Sequence, residues 1–392
     1  MTRTERRSGA GKRFLVLGGG AQGSACALDL ARSPNVERVV VADVRAEPAP
    51  FLRPYVGEVV ETRALDARDA EAVRSAMEGV DAVACALPYY FNADVARLAL
   101  EAGVHFCDLG GNTAIVEEQI ALADRAREAG VSLVPDCGLA PGMVNILAQA
   151  GIDALDDTDS VRMYVGGLPQ RPEPPLGYQV VYSLEGVLDY YTTPVLVLKD
   201  GAVAHEEPLG GLEEVDFPGL GTLEAFLTAG GVSRMPQRYA GRIRHMAYKT
   251  LRYPGHAAAA RAMRDLGLFS TEEIDVKGCR VRPRDVFIAV ASPVLRRPEG
   301  RDLVALRVVV EGTRGGARTC VTYELLDRYD DALGVTAMMR TTGYSLAAVA
   351  RLQAEGGIAS GAWTPEECVP AEAYVAALAE RGIRIERRLI EG

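Results

Sequence analysis

The feature that most constrains this chain is a run of glycines near its start. Gly18-Gly19-Gly20-Ala21-Gln22-Gly23 satisfies G-x-G-x-x-G. It follows a short apolar run, Phe14–Leu17, and precedes a segment with helical spacing, Ala21–Arg32, and then a second apolar run, Val39–Ala42. In a strand–turn–helix of this kind Gly18 permits the tight turn, Gly20 lets the backbone approach a pyrophosphate, and Gly23 allows helix to pack closely on strand. The helix that opens at Ala21 and Gln22 offers its free N–H groups and positive dipole end to phosphates. An acidic residue about 20 positions on completes the pattern. It is Asp43, at the end of the second run, where a carboxylate accepts hydrogen bonds from ribose hydroxyls and repels a 2'-phosphate. NAD is therefore the expected cofactor over NADP, with Arg45 working against that preference. Asp66 ends the next apolar run and either faces the adenine or is an ordinary turn aspartate. Leu87, at the end of the fourth run, and Pro88 after it are expected to border the cofactor.

The alternation continues through Val59–Leu65, a helix over Ala70–Met77, the run Ala82–Leu87, a helix over Ala93–Glu101, Phe106–Leu109, a helix over Val116–Glu128 and Ser132–Pro135. Six strands alternating with helices predict an α/β domain, a Rossmann doubly wound parallel sheet, over residues 1–142. After Pro141-Gly142 the rhythm changes to strand-like segments with longer connections: Ser160–Val165, Gln179–Tyr182, Val195–Leu198, Arg307–Val310 and Cys320–Leu325. These predict a second α+β domain of mixed sheet over 143–335, serving substrate and oligomerisation. Helical spacing returns at Tyr344–Gln353 and Ala371–Glu380, so residues 336–392 are expected to be helices packing back on the first domain. A chain of 392 residues is too long for one core, which agrees with two domains.

Composition narrows the partners. A net charge of -10 lacks the basic footprint of nucleic-acid binding, and suits a small cationic metabolite. No apolar run approaches the ~20 residues of a membrane span, and the segment Met1–Arg13 is polar and basic without the apolar stretch of an export signal. A cytoplasmic protein with no membrane partner is expected. The seven cysteines are scattered singly with no C-x-x-C pair, which reads as reduced core residues and no metal site.

Seven segments carry a resemblance: ALPYYFN (Ala86–Asn92), DLGG (Asp108–Gly111), PDCGLAPGMVN (Pro135–Asn145), YVGGLPQRPEPP (Tyr164–Pro175), YSLEG (Tyr182–Gly186), LEAFLTAGG (Leu223–Gly231) and YKTLRYPGH (Tyr248–His256). With these the chain resembles the saccharopine dehydrogenase family. RPEPP, YSLEG and YKTLRYPGH point within it to members that oxidise the ε-carbon of L-lysine with NAD, forming 2-aminoadipate semialdehyde and ammonia. The resemblance also implies a homo-oligomer, a dimer or higher, associating through the second domain's sheet. Ornithine or another diamino acid stays open, because one methylene changes binding by only ~1–3 kcal/mol. So do a saccharopine dehydrogenase-type reaction, an NAD-retaining enzyme of the homospermidine synthase kind, and a sensor that binds NAD without turnover.

For a lysine amine, with a pKa near 10.4, roughly one molecule in a few thousand is neutral at pH 7 and able to give up hydride. Acidic and polar groups are therefore sought at the carboxyl ends of the strands: Asp108, Glu185, and the Tyr89-Tyr90 pair. Each has a plain alternative, as a turn cap, a solvated charge, or rings packing at a domain junction. For the substrate carboxylate Arg252 or Lys249 would serve; on a strand they lie on opposite faces, and the planar fork of Arg252 is preferred. His256 either shuttles a proton or packs. Thr228–Gly231 is a weak candidate for a ligand loop.

Overall fold

The computed structural model describes residues 11–392, so the first part of the polar Met1–Arg13 segment lies outside the described residues. Two compact units result. The first comprises residues up to Ile146 together with Asp331–Val335 and Met339–Ile383; the second comprises Leu147–Asp330, Thr336–Met338 and Arg384–Gly392.

In the first unit, strands β1 (Lys12–Leu17), β2 (Val36–Asp43), β3 (Val60–Ala64), β4 (Ala82–Cys85), β5 (His105–Asp108) and β6 (Ser132–Val134) form a parallel sheet in the order β6-β5-β4-β1-β2-β3. Phe14 to Leu17 are wholly buried, as expected of a parallel strand covered on both faces. The order reverses beside β1, between β2 and β4, which is where an open α/β sheet leaves a crevice. The expected six strands become seven, because Gly361–Ala362 pairs in parallel with β6. Two residues are too few to leave a periodic signal. The single helix expected over Val116–Glu128 is two, Thr113–Ile120 and Ala123–Ala129.

The helix Ala337–Ala354 runs under this sheet with buried polar side chains that find backbone partners. Gln353 Nε2 donates to the carbonyls of Phe106 and Ser132 at 2.9 and 3.0 Å, and Ser345 Oγ donates to the Cys137 and Gly138 carbonyls at 2.8 and 3.0 Å.

The second unit is a nine-stranded mixed sheet. Its strands β7 (Asp157–Pro169), β8 (Val195–Lys199), β9 (Ala202–Glu206), β10 (Glu213–Phe217), β11 (Gly221–Leu227) and β12 (His245–Arg252) are followed by Asp302–Arg314, Ala317–Arg328 and Glu386–Glu391. β12 and β7 are parallel, and Asp302–Arg314 lies antiparallel on the other side of β7. Two expectations are corrected here. Gln179–Tyr182 is not a strand: the Val180 N–H goes to the Leu295 carbonyl at 2.9 Å, and the run leads into the helix Leu184–Thr192. Residues 336–392 are not all helical, since Glu386–Glu391 is a strand paired with Ala317–Arg328 in the second sheet.

Among the described residues no helix is long and apolar enough to cross a membrane, and no three His, Cys, Asp or Glu side chains gather as metal ligands. Cys26, Cys85, Cys107 and Cys137 are buried free thiols; Cys279 is exposed, which corrects the reading of every cysteine as a core residue.

Candidate functional site

The glycine loop follows β1 and opens the helix α1 (Ala21–Ala31). Gly18 has φ +95°, and a Cβ there would stand 2.8 Å from the Ala86 carbonyl oxygen. At Gly23 a Cβ would stand 1.8 Å from the Gly18 carbonyl oxygen, so only glycine lets the helix sit this close to the strand. A Cβ at Gly20 would meet no protein atom within 4 Å; the space it leaves is outside the protein, where a phosphate is expected. Gly20 gives α1 no side-chain cap, and its first turn has no acidic residue to compete with an anion.

Asp43 closes the loop from β2. Its Oδ2 accepts from the Gly19 N–H at 2.8 Å and its Oδ1 from the Arg45 N–H at 2.9 Å. The carboxylate lines a cleft of about 410 Å³ whose apolar wall includes Leu17, Leu65, Leu87, Pro88 and Phe91, and whose polar rim includes Arg45, Asp66, Arg68 and Tyr90. The Arg68 side chain holds Asp66 with contacts of 2.6 to 3.1 Å, and this pairing with the Arg68 backbone N–H keeps the Asp66 carboxyl down at about 2. The residues fit an adenosine: flat apolar walls, a carboxylate for ribose hydroxyls and phosphate-ready N–H groups beside it. Asp43, Asp66, Leu87 and Pro88 thus share one cleft. Tyr90, sought as a catalytic group, lines the same cleft, and Tyr89 stands edge-on to it at 5.8 Å between ring centres.

Asp108 is fully enclosed. It accepts from Gln119 Nε2 and the Gly110 N–H, both at 2.6 Å, and burial raises its carboxyl to about 6 against these donors. Gly110, at φ +69°, is where a Cβ would meet the Asp136 carboxylate. The geometry is that of the turn cap rather than of a group open to substrate.

In the second unit β12 carries Tyr248, Thr250 and Arg252 on one face and Lys249 on the other. Lys249 Nζ donates to the Gly211 carbonyl at 2.6 Å and to Glu213 at 2.9 Å. Arg252 is only 3% exposed. Its Nη1 donates to the Leu251 carbonyl at 2.9 Å, its guanidinium lies 4.8 Å from the centre of the Tyr178 ring, and its Nε has no hydrogen-bond partner. Burial opposes its charge, yet Tyr191, Tyr178 and Tyr182 around it hold its pKa above the ordinary arginine value. No carboxylate among the described residues forms an ion pair with it. The buried Glu224, its cross-strand neighbour on β11, is engaged instead by the Gly255 and Ala257 N–H groups, so the guanidinium has no direct carboxylate contact of its own, which marks a candidate anion site.

His256 completes this cluster. Its ring stacks on Phe226 at 6.2 Å, Nδ1 contacts the Leu176 carbonyl at 3.1 Å, and Nε2 contacts Tyr191 Oη at 2.9 Å. The carbonyl can only accept, so Nδ1 carries the proton and Nε2 accepts from Tyr191. Burial first, then the Arg252 charge, pushes His256 down to about 3. It sits as a neutral packing histidine, the second of the two readings its sequence position leaves open. Glu185 is exposed on the first turn of Leu184–Thr192, so the structure does not turn it into the Arg252 cluster. The Thr228–Gly231 segment packs against rings: a Cβ at Gly231 would overlap Tyr248, and Thr228 Oγ1 pairs with Thr250 Oγ1 at 2.7 Å.

Comparison with known proteins decides the family. The saccharopine dehydrogenase NADP binding domain matches residues 14–134, and the saccharopine dehydrogenase C-terminal domain matches 138–383. The chain belongs to the saccharopine dehydrogenase family. It is 27% identical over 273 residues to the mitochondrial alpha-aminoadipic semialdehyde synthase of Rattus norvegicus, a match covering 67% of this chain and 29% of that protein. It is 31% identical over 160 residues to the saccharopine dehydrogenase [NADP(+), L-glutamate-forming] of Schizosaccharomyces pombe, covering 39% and 33% of the two chains. The matches thus span about a third or less of these relatives' own length. In fold it is similar to the apo saccharopine dehydrogenase (L-Glu forming) of Saccharomyces cerevisiae, with TM-score 0.79, 20% identity and coverage of 97% and 100%. The homospermidine synthase of Legionella pneumophila, solved with NAD, follows at TM-score 0.70, 13% identity and coverage of 97% and 91%.

Within this family fold, sequence reading missed Arg68 and the tyrosines 178, 182 and 191. Arg68 left a local signal, a cation two residues past Asp66. The tyrosines left none, because they meet Arg252 only through the tertiary fold.

Proposed function

We propose that the chain is an NAD-dependent L-lysine 6-dehydrogenase, removing hydride from the ε-carbon of lysine so that water converts the resulting imine to 2-aminoadipate semialdehyde and ammonia. The aldehyde closes on its own α-amine to 1-piperideine-6-carboxylate. The observation that carries this reading is Arg252: one buried guanidinium ringed by phenols and a neutral histidine, suited to one carboxylate. Saccharopine, with three carboxylates, asks for more cations than this cluster holds. NAD, held by the glycine loop and Asp43, supplies the hydride acceptor. Arg252 binds the substrate carboxylate as a charge-assisted fork. Tyr191 is oriented by donating to His256, which leaves its oxygen lone pairs for the guanidinium. We place this work in the cytoplasm, on a small-molecule substrate.

The test is NADH absorbance with purified protein, NAD, and lysine, ornithine or saccharopine in turn. Lysine is expected to give NADH and ammonia, at a rate rising about tenfold per pH unit from 7 towards the amine pKa near 10.4. A second reading, a saccharopine dehydrogenase-type enzyme using NADP, draws on Arg45 and Arg68 at the rim of the cleft, where a 2'-phosphate would be welcome. Signal with saccharopine and silence with lysine would favour it.

Asp43 gives a separate expectation. In Asp43→Ala the ratio of kcat/KM for NAD to that for NADP should fall at least about tenfold, since the repelling charge goes and both arginines stay. Absolute rates will drop too, because Gly19 loses its acceptor. An unchanged ratio would mean that Asp43 does not choose the cofactor.

A further inference from the structure

Tyr191 and Tyr178 both flank the Arg252 guanidinium, but only one of them has a place for its proton. Tyr191 Oη donates to His256 Nε2 at 2.9 Å. Tyr178 Oη is buried without a hydrogen-bond partner, and the neighbouring Val181 N–H is a donor as well. Tyr178 is 2% exposed, and its ring meets the His256 ring edge-on at 5.6 Å. The chain on either side of it is tied down. The Leu176 carbonyl takes the His256 Nδ1–H at 3.1 Å, and the Val180 N–H donates to the Leu295 carbonyl at 2.9 Å. A tyrosine fixed at both ends in this way does not swing its hydroxyl to a distant acceptor.

The cluster thus encloses two donors that lack acceptors among the described residues, the Tyr178 O–H and the Arg252 Nε–H, on side chains stacked against each other. Buried donors are normally paired, because an unmade bond leaves the whole desolvation penalty of the group. The acceptors close by are committed elsewhere: Glu224 to the Gly255 and Ala257 N–H groups, and His256 Nε2 to Tyr191. A ligand with two acceptor oxygens side by side answers both donors, and a carboxylate is the smallest organic group that offers them. We propose that Tyr178 is the second arm of the carboxylate site and a determinant of substrate specificity, its hydroxyl donating to one carboxylate oxygen while Arg252 Nε donates to the other. The inference rests on the reading of Arg252 as the partner of the substrate carboxylate. It adds a neutral donor to the single cation, so the site selects by hydrogen-bonding pattern as well as by charge. An amide in that place would set its own N–H against a donor, and a plain amine would leave both donors unanswered.

Tyr178→Phe tests it, since the variant removes the hydroxyl and keeps the ring. It should melt at or above the wild-type temperature, because the group lost is an unanswered buried donor. Tyr191→Phe, which breaks the bond to His256, should melt lower. In calorimetric titrations of the full chain with NAD present, hexanoate, a carboxylate of lysine's chain length without its amines, should bind the wild type. It should bind Y178F about tenfold to a hundredfold more weakly. The KM for lysine should rise by the same factor with kcat within about twofold, while the Kd for NAD stays where it was. Hexanoate held equally by the wild type and Y178F, or an unaltered KM for lysine, would overturn the proposal. So would a wild type that binds no hexanoate, or a Y178F that melts below it, which would mean that the hydroxyl already has a partner in the protein. A wild type that leaves lysine unoxidised, yet loses hexanoate through Y178F, would remove the lysine reaction and keep Tyr178 in the carboxylate site.

Discussion

Arg252→Met is expected to raise KM for the amino-acid substrate by at least about 30-fold while leaving the protein as resistant to urea as the wild type, or more so. The two halves come from the same geometry. A buried arginine with an unpaired Nε and no direct ion pair contributes little to the free protein's stability, and an apolar residue of similar length in such a place is often neutral or stabilising. Losing a charge-assisted contact to a buried substrate carboxylate, in contrast, costs about 2–5 kcal/mol of binding. Steady-state kinetics and urea unfolding on the same preparation separate these effects. Arg252→Lys should not rescue KM, because a point charge on a flexible stem does not reproduce the planar fork. An unaltered KM in Arg252→Met would place the substrate carboxylate elsewhere. A variant that unfolds readily would show that the guanidinium holds the tyrosine cluster together rather than waiting for an anion.

Gly23→Ala should abolish cofactor binding within the reach of a fluorescence titration, a weakening of at least about 100-fold, and cost about 1–3 kcal/mol of stability by overpacking. The added Cβ would sit 1.8 Å from the Gly18 carbonyl oxygen, and neither backbone can yield without moving the loop from α1. Gly20→Ala is the informative partner. Its Cβ meets nothing in the protein, so stability should hold while affinity for NADH falls, since the volume is kept for the ligand. If Gly20→Ala binds NADH as tightly as the wild type, the pyrophosphate does not cross the loop there.

These residues also show what a sequence can reveal. Gly18, Gly20, Gly23 and Asp43 were readable because their geometry is set within one strand–helix–strand unit, where spacing along the chain is spacing in space. The opposed directions of Lys249 and Arg252 follow from strand alternation alone. The state of His256 was not readable: its neutrality depends on burial, on Arg252 four residues before it, and on Tyr191 and Leu176, which reach it from two other segments. Asp108 misled for a related reason. A carboxylate at the end of a parallel strand is where chemistry is often found, but whether it faces solvent or is closed in by Gln119 and the turn at Asp136 depends on loops with no period to read. Glu185 shares a motif with Ser183, yet its helical phase, rather than the motif, decides that it is exposed.

The two-residue strand at Gly361–Ala362 has a consequence in time. It pairs with β6 about 230 residues after β6 itself ends. At a synthesis rate of roughly 5–20 residues per second, the edge of β6 waits on the order of 10–45 seconds for its neighbour during translation. Throughout that interval the nascent Rossmann sheet presents an unpaired edge of the kind that recruits foreign strands. The carbonyls of Phe106 and Ser132 wait almost as long for Gln353. A fragment ending near Ile146 would never leave that state, so the cofactor unit is expected to need the distant half of its own chain as a chaperone of its edge.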